Sequence, residues 1–292
     1  MAETSRFPER GNDSKSGIVP FQRKHSGKSS KELHAFKGYL FDLDGTIYAG
    51  SKLLPGVLST VSWLREQKKS VMFVTNTTIR TKESVQMRLS ELGISCEGNE
   101  VLTALCVAGK FFQEHEPDAH VLMIGEAAME QELALYGVKM TKNPLLATHV
   151  LVGLDRQFTF EKLTAGVNAL RNGAKLIAAN PDPFCPIDDG VIPDTWSLVK
   201  ALETASLQET VRVIGKPSSY YAQKAFDLLK IPPAQCLMVG DRLSTDIQFG
   251  NSNDMYTALV LTGADSKNDI VQTGIEPDYI LNQLSEIKSN NL

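Results

Sequence analysis

Residues 38–46 read Gly38-Tyr39-Leu40-Phe41-Asp42-Leu43-Asp44-Gly45-Thr46. A short apolar run stops at two aspartates, a glycine and a threonine. An apolar run bounded by turn-forming residues is the pattern of a buried strand and its exit loop. The loop presents two carboxylates one residue apart. At ordinary usage of roughly 5–7% per residue type, the four fixed positions of D-x-D-G-T meet by chance in about one window in 10⁵. The stretch is therefore specific on its own, and it predicts a strand whose carboxyl end carries chemistry.

Outward from it, strand and helix signals alternate. Residues 57–67 read as a helix, with Val57, Val61 and Leu64 on one face. Residues 70–75 are a second apolar strand. Residues 82–92 come next as a helix, with Thr81 as its N-cap and Gly93 where a left-handed residue ends it. Further strands are predicted at residues 121–124, 150–152, 176–178, 211–214, 236–239 and 258–261. This is the pattern of an α/β protein with mostly parallel sheets, and about nine strand-helix units exceed one comfortable sheet. Two domains are expected.

Ligands of open parallel sheets gather at the carboxyl ends of the strands. Behind the second run stand Thr75 and Asn76. Behind residues 211–214 stand Gly215, Lys216 and Pro217. Behind residues 236–239 stand Gly240, Asp241 and Arg242, with Asp246 five residues past Asp241. Together with Asp42 and Asp44, these groups are expected on one edge. Clustered carboxylates stay ionised together only beside a cation, and a few hard oxygen ligands suit Mg²⁺. Lysine and hydroxyl donors would hold a phosphoryl group. An aspartate can act as nucleophile in phosphoryl transfer, and a second carboxylate nearby can pass the proton.

Composition narrows the field. The 292 residues carry 30 basic and 34 acidic side chains, a net charge of −4, which argues against a nucleic-acid partner. No apolar run approaches the ~18 residues of a membrane span. The four cysteines form no C-x-x-C pair and fit a reducing, cytoplasmic setting. No G-x-G-x-x-G or G-x-x-x-x-G-K-[ST] stands behind any strand, which removes a dinucleotide or P-loop site. Residues 1–36 have seven Lys/Arg against four Asp/Glu before Ala35 and no apolar periodicity, so a disordered tail is expected.

The four segments, in this order, resemble the motifs of the haloacid dehalogenase superfamily of phosphatases. The long insert between Asn76 and Lys216 resembles the subgroup with a large α/β cap, as do Val152-Gly153-Leu154-Asp155 and Asn180-Pro181-Asp182-Pro183. The resemblance spans about residues 38–285. It implies a Rossmann-like core with a parallel sheet plus an inserted α/β cap: core at 37–117, cap at 118–205, core again at 206–292. It implies Asp42 as nucleophile and metal ligand, and Asp44 as general acid/base and ligand through its backbone carbonyl. Asp241 completes the Mg²⁺ site and Asp246 supports it. Thr75, Asn76 and Lys216 hold the phosphoryl group. A cap loop with Asn180, Asp182 and Cys185 meets the leaving group.

The implied activity is Mg²⁺-dependent hydrolysis of a small phosphomonoester through an aspartyl-phosphate, with a homodimer formed through the cap. Pyridoxal phosphatases of the subgroup tend to carry His where this chain has Cys185. The acidic loop, with Asp182, Asp188 and Asp189, favours sugar-like leaving groups over dicarboxylates. Phosphoglycolate and pyridoxal phosphate stand as alternative substrates. A phosphomutase and an idle phosphate-binding regulator stand as alternative functions.

Overall fold

The computed structural model describes residues 31–187 and 190–288. In chain order the first elements are β1 (Gly38–Phe41), β2 (Tyr48–Ala49), β3 (Lys52–Leu53), α1 (Val57–Glu66), β4 (Ser70–Thr75), α2 (Lys82–Glu91), β5 (Val101–Thr103) and α3 (Ala104–His115). Next come β6 (His120–Ile124), α4 (Ala127–Leu135), β7 (Lys139–Met140), β8 (His149–Val152), α5 (Phe160–Arg171), β9 (Lys175–Ala178), β10 (Phe184–Ile187), β11 (Gly190–Pro193), α6 (Thr195–Ser206) and β12 (Thr210–Val213). The chain closes with α7 (Ser219–Leu229), β13 (Cys236–Gly240), α8 (Gln248–Ser252), β14 (Tyr256–Val260), α9 (Lys267–Thr273) and β15 (Tyr279–Leu281).

Two parallel sheets result. The first runs β15-β14-β13-β1-β4-β5, and the second runs β12-β9-β8-β6-β7. β1 lies between β4 and β13, with Phe41 opposite Phe73 on one side and Val239 on the other. Its central place explains its unbroken apolar sequence, because helices cover both faces of a parallel sheet. Alternation along the strands divides the apolar residues between two layers. Tyr39, Phe41, Val71 and Phe73 pack in one cluster, while Leu40, Met72 and Val74 pack in the other. That second cluster also takes Val121, Leu151 and Ile177 from the second sheet, so one apolar layer joins the two sheets. The far face of the second sheet packs with Ala169, Leu170, Val199 and Leu202 of α5 and α6.

Local signals behave as the sequence indicates. The Thr81 hydroxyl accepts the Ser84 N–H at 3.1 Å and caps α2, and Gly93 succeeds that helix at φ 89°.

Two boundaries differ from the expectation. β12 pairs with β9, so the second sheet runs on to Val213, past the expected limit at residue 205. The strand adds to the open edge beside β9 before the chain returns to the first sheet through α7. Second, residues 31–36 are part of the folded body. Leu33 and Phe36 are buried in the first cluster, and the Tyr39 hydroxyl donates to the Leu33 carbonyl at 2.8 Å. The short polar context of two isolated apolar residues hid this anchor from a periodicity argument. The rest of the expected tail, residues 1–30, lies outside the described residues, as do Asp188 and Asp189. Among the described residues, no helix is long and apolar enough to cross a membrane.

Phe36 packs against the rings of Tyr39, Tyr256 and Tyr279. Removing a buried ring of this kind costs about 3–5 kcal/mol, so Phe36→Ala should lower the urea-unfolding free energy by that amount. A loss below about 1 kcal/mol, typical of a surface substitution, would show that this segment does not hold the fold.

Candidate active site

β1 delivers Asp42 to the carboxyl edge of the first sheet, with its backbone N–H on the Val239 carbonyl at 2.9 Å. The Asp42 Oδ1 accepts from Lys216 Nζ at 2.6 Å, and its side chain keeps 13% exposure. Among the described residues, the other carboxylate oxygen has no hydrogen bond. Past Asp42 the chain turns at once: the N–H groups of Thr46, Ile47 and Tyr48 all point to the Leu43 carbonyl. That turn leaves Asp44 exposed, and Arg88 and Arg80 act on its charge. Desolvation raises its carboxyl above the usual range, and the two arginines and Lys216 oppose the rise.

Lys216 is 1% exposed, and its ammonium is fully engaged. It donates to Asp42 at 2.6 Å, to Asp246 Oδ1 at 2.6 Å and to the Val74 carbonyl at 3.0 Å. Burial pulls its pKa down, but Asp246 and Asp42 more than reverse this. Lys216 thus enters from the edge of the second sheet, after β12, not from a strand of the first. Asp246 sits on the π-helical turn Leu243–Ile247, and its Oδ2 accepts the Arg242 N–H at 3.1 Å. Gly240 is required here: a Cβ on it would stand 2.2 Å from the Asp246 Cβ.

Asp42, Asp241 and Asp246 each offer a carboxylate oxygen, all within 4.8 Å of one another. Burial first, then Asp246, pushes Asp241 up to about 7. Burial also raises Asp42 well above its ordinary value; Lys216 counters this, while Asp246 and Asp241 add to it. Three carboxylates face one ammonium, a charge imbalance that a divalent cation with oxygen ligands would relieve. The donor set therefore fits Mg²⁺. The carboxylate of Asp44 stands apart from this cluster.

The remaining expected residues divide. Thr75 is buried at the end of β4, its hydroxyl accepting the Thr77 N–H at 3.1 Å. The Asn76 side chain does not point to an open phosphoryl site. Its Oδ1 accepts the Lys216 N–H at 2.8 Å, and its Nδ2 donates to the Lys216 carbonyl at 3.1 Å and to Asp182 Oδ2 at 3.0 Å. Asn180 Nδ2 donates to the Asn76 carbonyl at 2.8 Å. Asn180 and Asp182 are thus buried ties between the two sheets. Cys185 begins the β10–β11 hairpin with Phe184, half-buried, its thiol raised by burial and then by Asp194 and Asp44.

Sequence reasoning placed Arg242 on the site edge without a role for it, and missed Thr78, Glu132 and Tyr221. Arg242 reaches across to Asp182 at 3.5 Å and to the Phe184 carbonyl at 3.4 Å. Its place beside Asp241 was the available signal. Thr78 accepts the Leu154 N–H at 2.9 Å, and Glu132 of α4 accepts the Lys82 N–H at 2.8 Å. Tyr221, fully buried, accepts the Thr75 N–H at 3.0 Å. No local pattern marks these three; their partners are far away in sequence.

A family model described as haloacid dehalogenase-like hydrolase matches residues 39–139, and a second, HAD-hydrolase-like model matches residues 213–287. The chain is 33% identical to an acid sugar phosphatase of Staphylococcus saprophyticus over 252 residues, covering 86% of this chain and 96% of the relative. It is similar to a p-nitrophenyl phosphatase from Archaeoglobus fulgidus, with TM-score 0.82, 31% identity and coverage of 87% and 98%. It is also similar to a glycerol phosphate phosphatase from Mycobacterium tuberculosis in complex with magnesium, with TM-score 0.80, 31% identity and coverage of 89% and 78%.

Burial pushes Asp182 up to about 6 from an unfolded value of 3.8, against the pull of Arg242. The stability tied to its proton is fully present below pH 3.8 and is lost as pH rises through 6. Asp182→Asn keeps an acceptor for Asn76 and escapes that loss. Relative to wild type, its stability should rise between about pH 4 and 7, by on the order of 2–3 kcal/mol. Urea unfolding across this range checks it, and a falling difference would mean that the Arg242 pair outweighs burial.

Proposed function

The chain belongs to the haloacid dehalogenase-like hydrolases and is a phosphatase of small phosphate esters, and we propose that it works by phosphoryl transfer to Asp42 with Mg²⁺ in the site. The observation that carries this reading is the state of Asp42. One oxygen is fixed by Lys216, while the other has no hydrogen bond among the described residues and belongs to a side chain that stays partly exposed.

The ester phosphorus would be attacked by the unbound oxygen of Asp42. A bond forms from that oxygen to phosphorus as the bond from phosphorus to the leaving oxygen breaks. Asp44, exposed and with its carboxyl raised above the usual range, would give the proton to the leaving oxygen. Water then attacks phosphorus as the bond from phosphorus to the Asp42 oxygen breaks, which frees phosphate and restores the carboxylate, and Asp44 takes a proton from that water. Lys216 orients Asp42 and offsets its charge. The Thr75 hydroxyl and the N–H groups of the loop after β4 would face the transferred group. Asp42, Asp241 and the backbone carbonyl of Asp44 would hold Mg²⁺, with Asp246 behind them. When bound, the cation neutralises phosphate charge and favours attack by an anionic carboxylate.

The second sheet with its β10–β11 hairpin would act as the cap that excludes water and selects the leaving group. Similarity to phosphatases named for acid sugar and glycerol phosphates supports a polyhydroxylated leaving group. Asp182 adds less to that preference than its charge suggests, because it is tied to Asn76 and Arg242.

Phosphate release should be measured on sugar phosphates, glycerol phosphate, phosphoglycolate, pyridoxal phosphate and p-nitrophenyl phosphate. Release should need Mg²⁺, stop with chelator, and fall by ~10³-fold or more in Asp42→Asn. Sugar or glycerol phosphates should give the highest kcat/KM. Full turnover by Asp42→Asn would end the proposal, and a preference for phosphoglycolate would overturn the substrate class.

A further inference from the structure

The turn behind β14 has no part in the phosphoryl-transfer steps, yet its residues lie against the catalytic loops. Leu261 anchors it, with its N–H on the Leu281 carbonyl at 2.8 Å. The Thr262 hydroxyl donates to the Gly45 carbonyl at 2.6 Å, in the loop that carries Asp42 and Asp44. The Ala264 N–H donates to Asp241 Oδ2 at 2.7 Å, and the Asp265 N–H donates to the Asp241 carbonyl at 3.0 Å. Asp265 Oδ2 in turn accepts the Leu243 N–H at 2.6 Å, closing the turn onto the segment that leads to Asp246. Gly263 lies flat against the same carboxylate. A Cβ there would stand 2.0 Å from Asp241 Oδ2 and 2.5 Å from the Asp241 Cβ.

We propose that residues 262–265 are a positioning clasp, which fixes the rotation of the Asp241 carboxylate and the spacing between the Asp42 loop and the Asp241 loop for metal binding. The clasp rests on the Mg²⁺ reading of the site. The physical reason is orientation. Asp241 is buried, and a carboxylate free to rotate would give up its oxygen to any neighbouring donor. Committing Oδ2 to the Ala264 N–H leaves Oδ1 for a cation. The absence of a side chain at Gly263 lets the backbone come close enough to make that bond. Thr262 ties the clasp to the opposite loop, so the two carboxylate-bearing segments hold one separation. Partners of this kind behind metal ligands contribute roughly 10–100-fold to metal affinity.

The test is direct titration of Mg²⁺ into metal-free wild type, Gly263→Ala, Thr262→Val and Thr262→Ser by calorimetry. Circular dichroism and thermal melts without metal serve as fold controls. Gly263→Ala should weaken Mg²⁺ binding by about 10-fold or more. Thr262→Val should weaken it several-fold, and Thr262→Ser should restore wild-type affinity. At saturating Mg²⁺, KM for p-nitrophenyl phosphate should stay unchanged in Thr262→Val. Wild-type affinity in folded Gly263→Ala and Thr262→Val would overturn the clasp, as would a serine variant as weak as valine. Should Gly263→Ala fail to fold, the valine and serine pair decides. Wild type that binds no Mg²⁺ would instead remove the metal reading on which the clasp depends.

Discussion

One buried ammonium sets the terms for this protein. Lys216 stands between Asp42 and Asp246 at 2.6 Å from each, almost out of solvent. Removing charges from water is expensive, and only close pairing with further hydrogen bonds offsets it. That requirement reaches well beyond the site. The lysine must arrive from the second sheet, so the chain has to cross from β12 to the first sheet at this point. Its backbone is gripped on both sides by Asn76, and its ammonium also rests on the Val74 carbonyl. The two sheets are joined through the same few residues that arrange the carboxylates.

This joint extends between the two sheets as a seam of polar contacts. Asn180 and Asp182 reach Asn76, Arg242 reaches Asp182, Leu154 reaches Thr78, and Glu132 receives the first N–H of α2. Most of these groups are buried or half-buried, where an unmet polar group costs more than a surface one. The seam therefore fixes one arrangement of the two sheets. An apolar layer shared between them, from Leu40 and Met72 to Leu151 and Ile177, supplies the undirected attraction. Direction comes from the polar seam.

Much of this was legible in the sequence, for identifiable reasons. The core strands are apolar throughout because both faces are covered, and the residues just past each strand mark the site. By that rule Asp42, Lys216, Asp241 and Asp246 were expected on one edge, and the structure brings these four side chains together. The same question asked after residue 261 would have exposed Thr262 to Asp265, which touch Gly45 and Asp241. Other features were beyond reach. Asn76 looks like a phosphate ligand in one dimension, but its amide is spent on Lys216 and Asp182, a pairing across more than 100 residues. The edge strand β12 reads as a strand of either sheet, since its pattern carries no information about its neighbour. Leu33 and Phe36 are too few to show a period, although both are buried.

The dependence on Lys216 is tested most directly by a double-mutant cycle in urea, with metal chelated throughout. Lys216→Met leaves Asp42 and Asp246 facing each other without a cation, and should cost about 3–5 kcal/mol. Adding Asp246→Asn removes one of the stranded charges and should recover a large part of that loss. Equal stability of Lys216→Met and wild type, or no recovery in the double variant, would contradict the view that this charge pairing organises the site and the joint between the sheets.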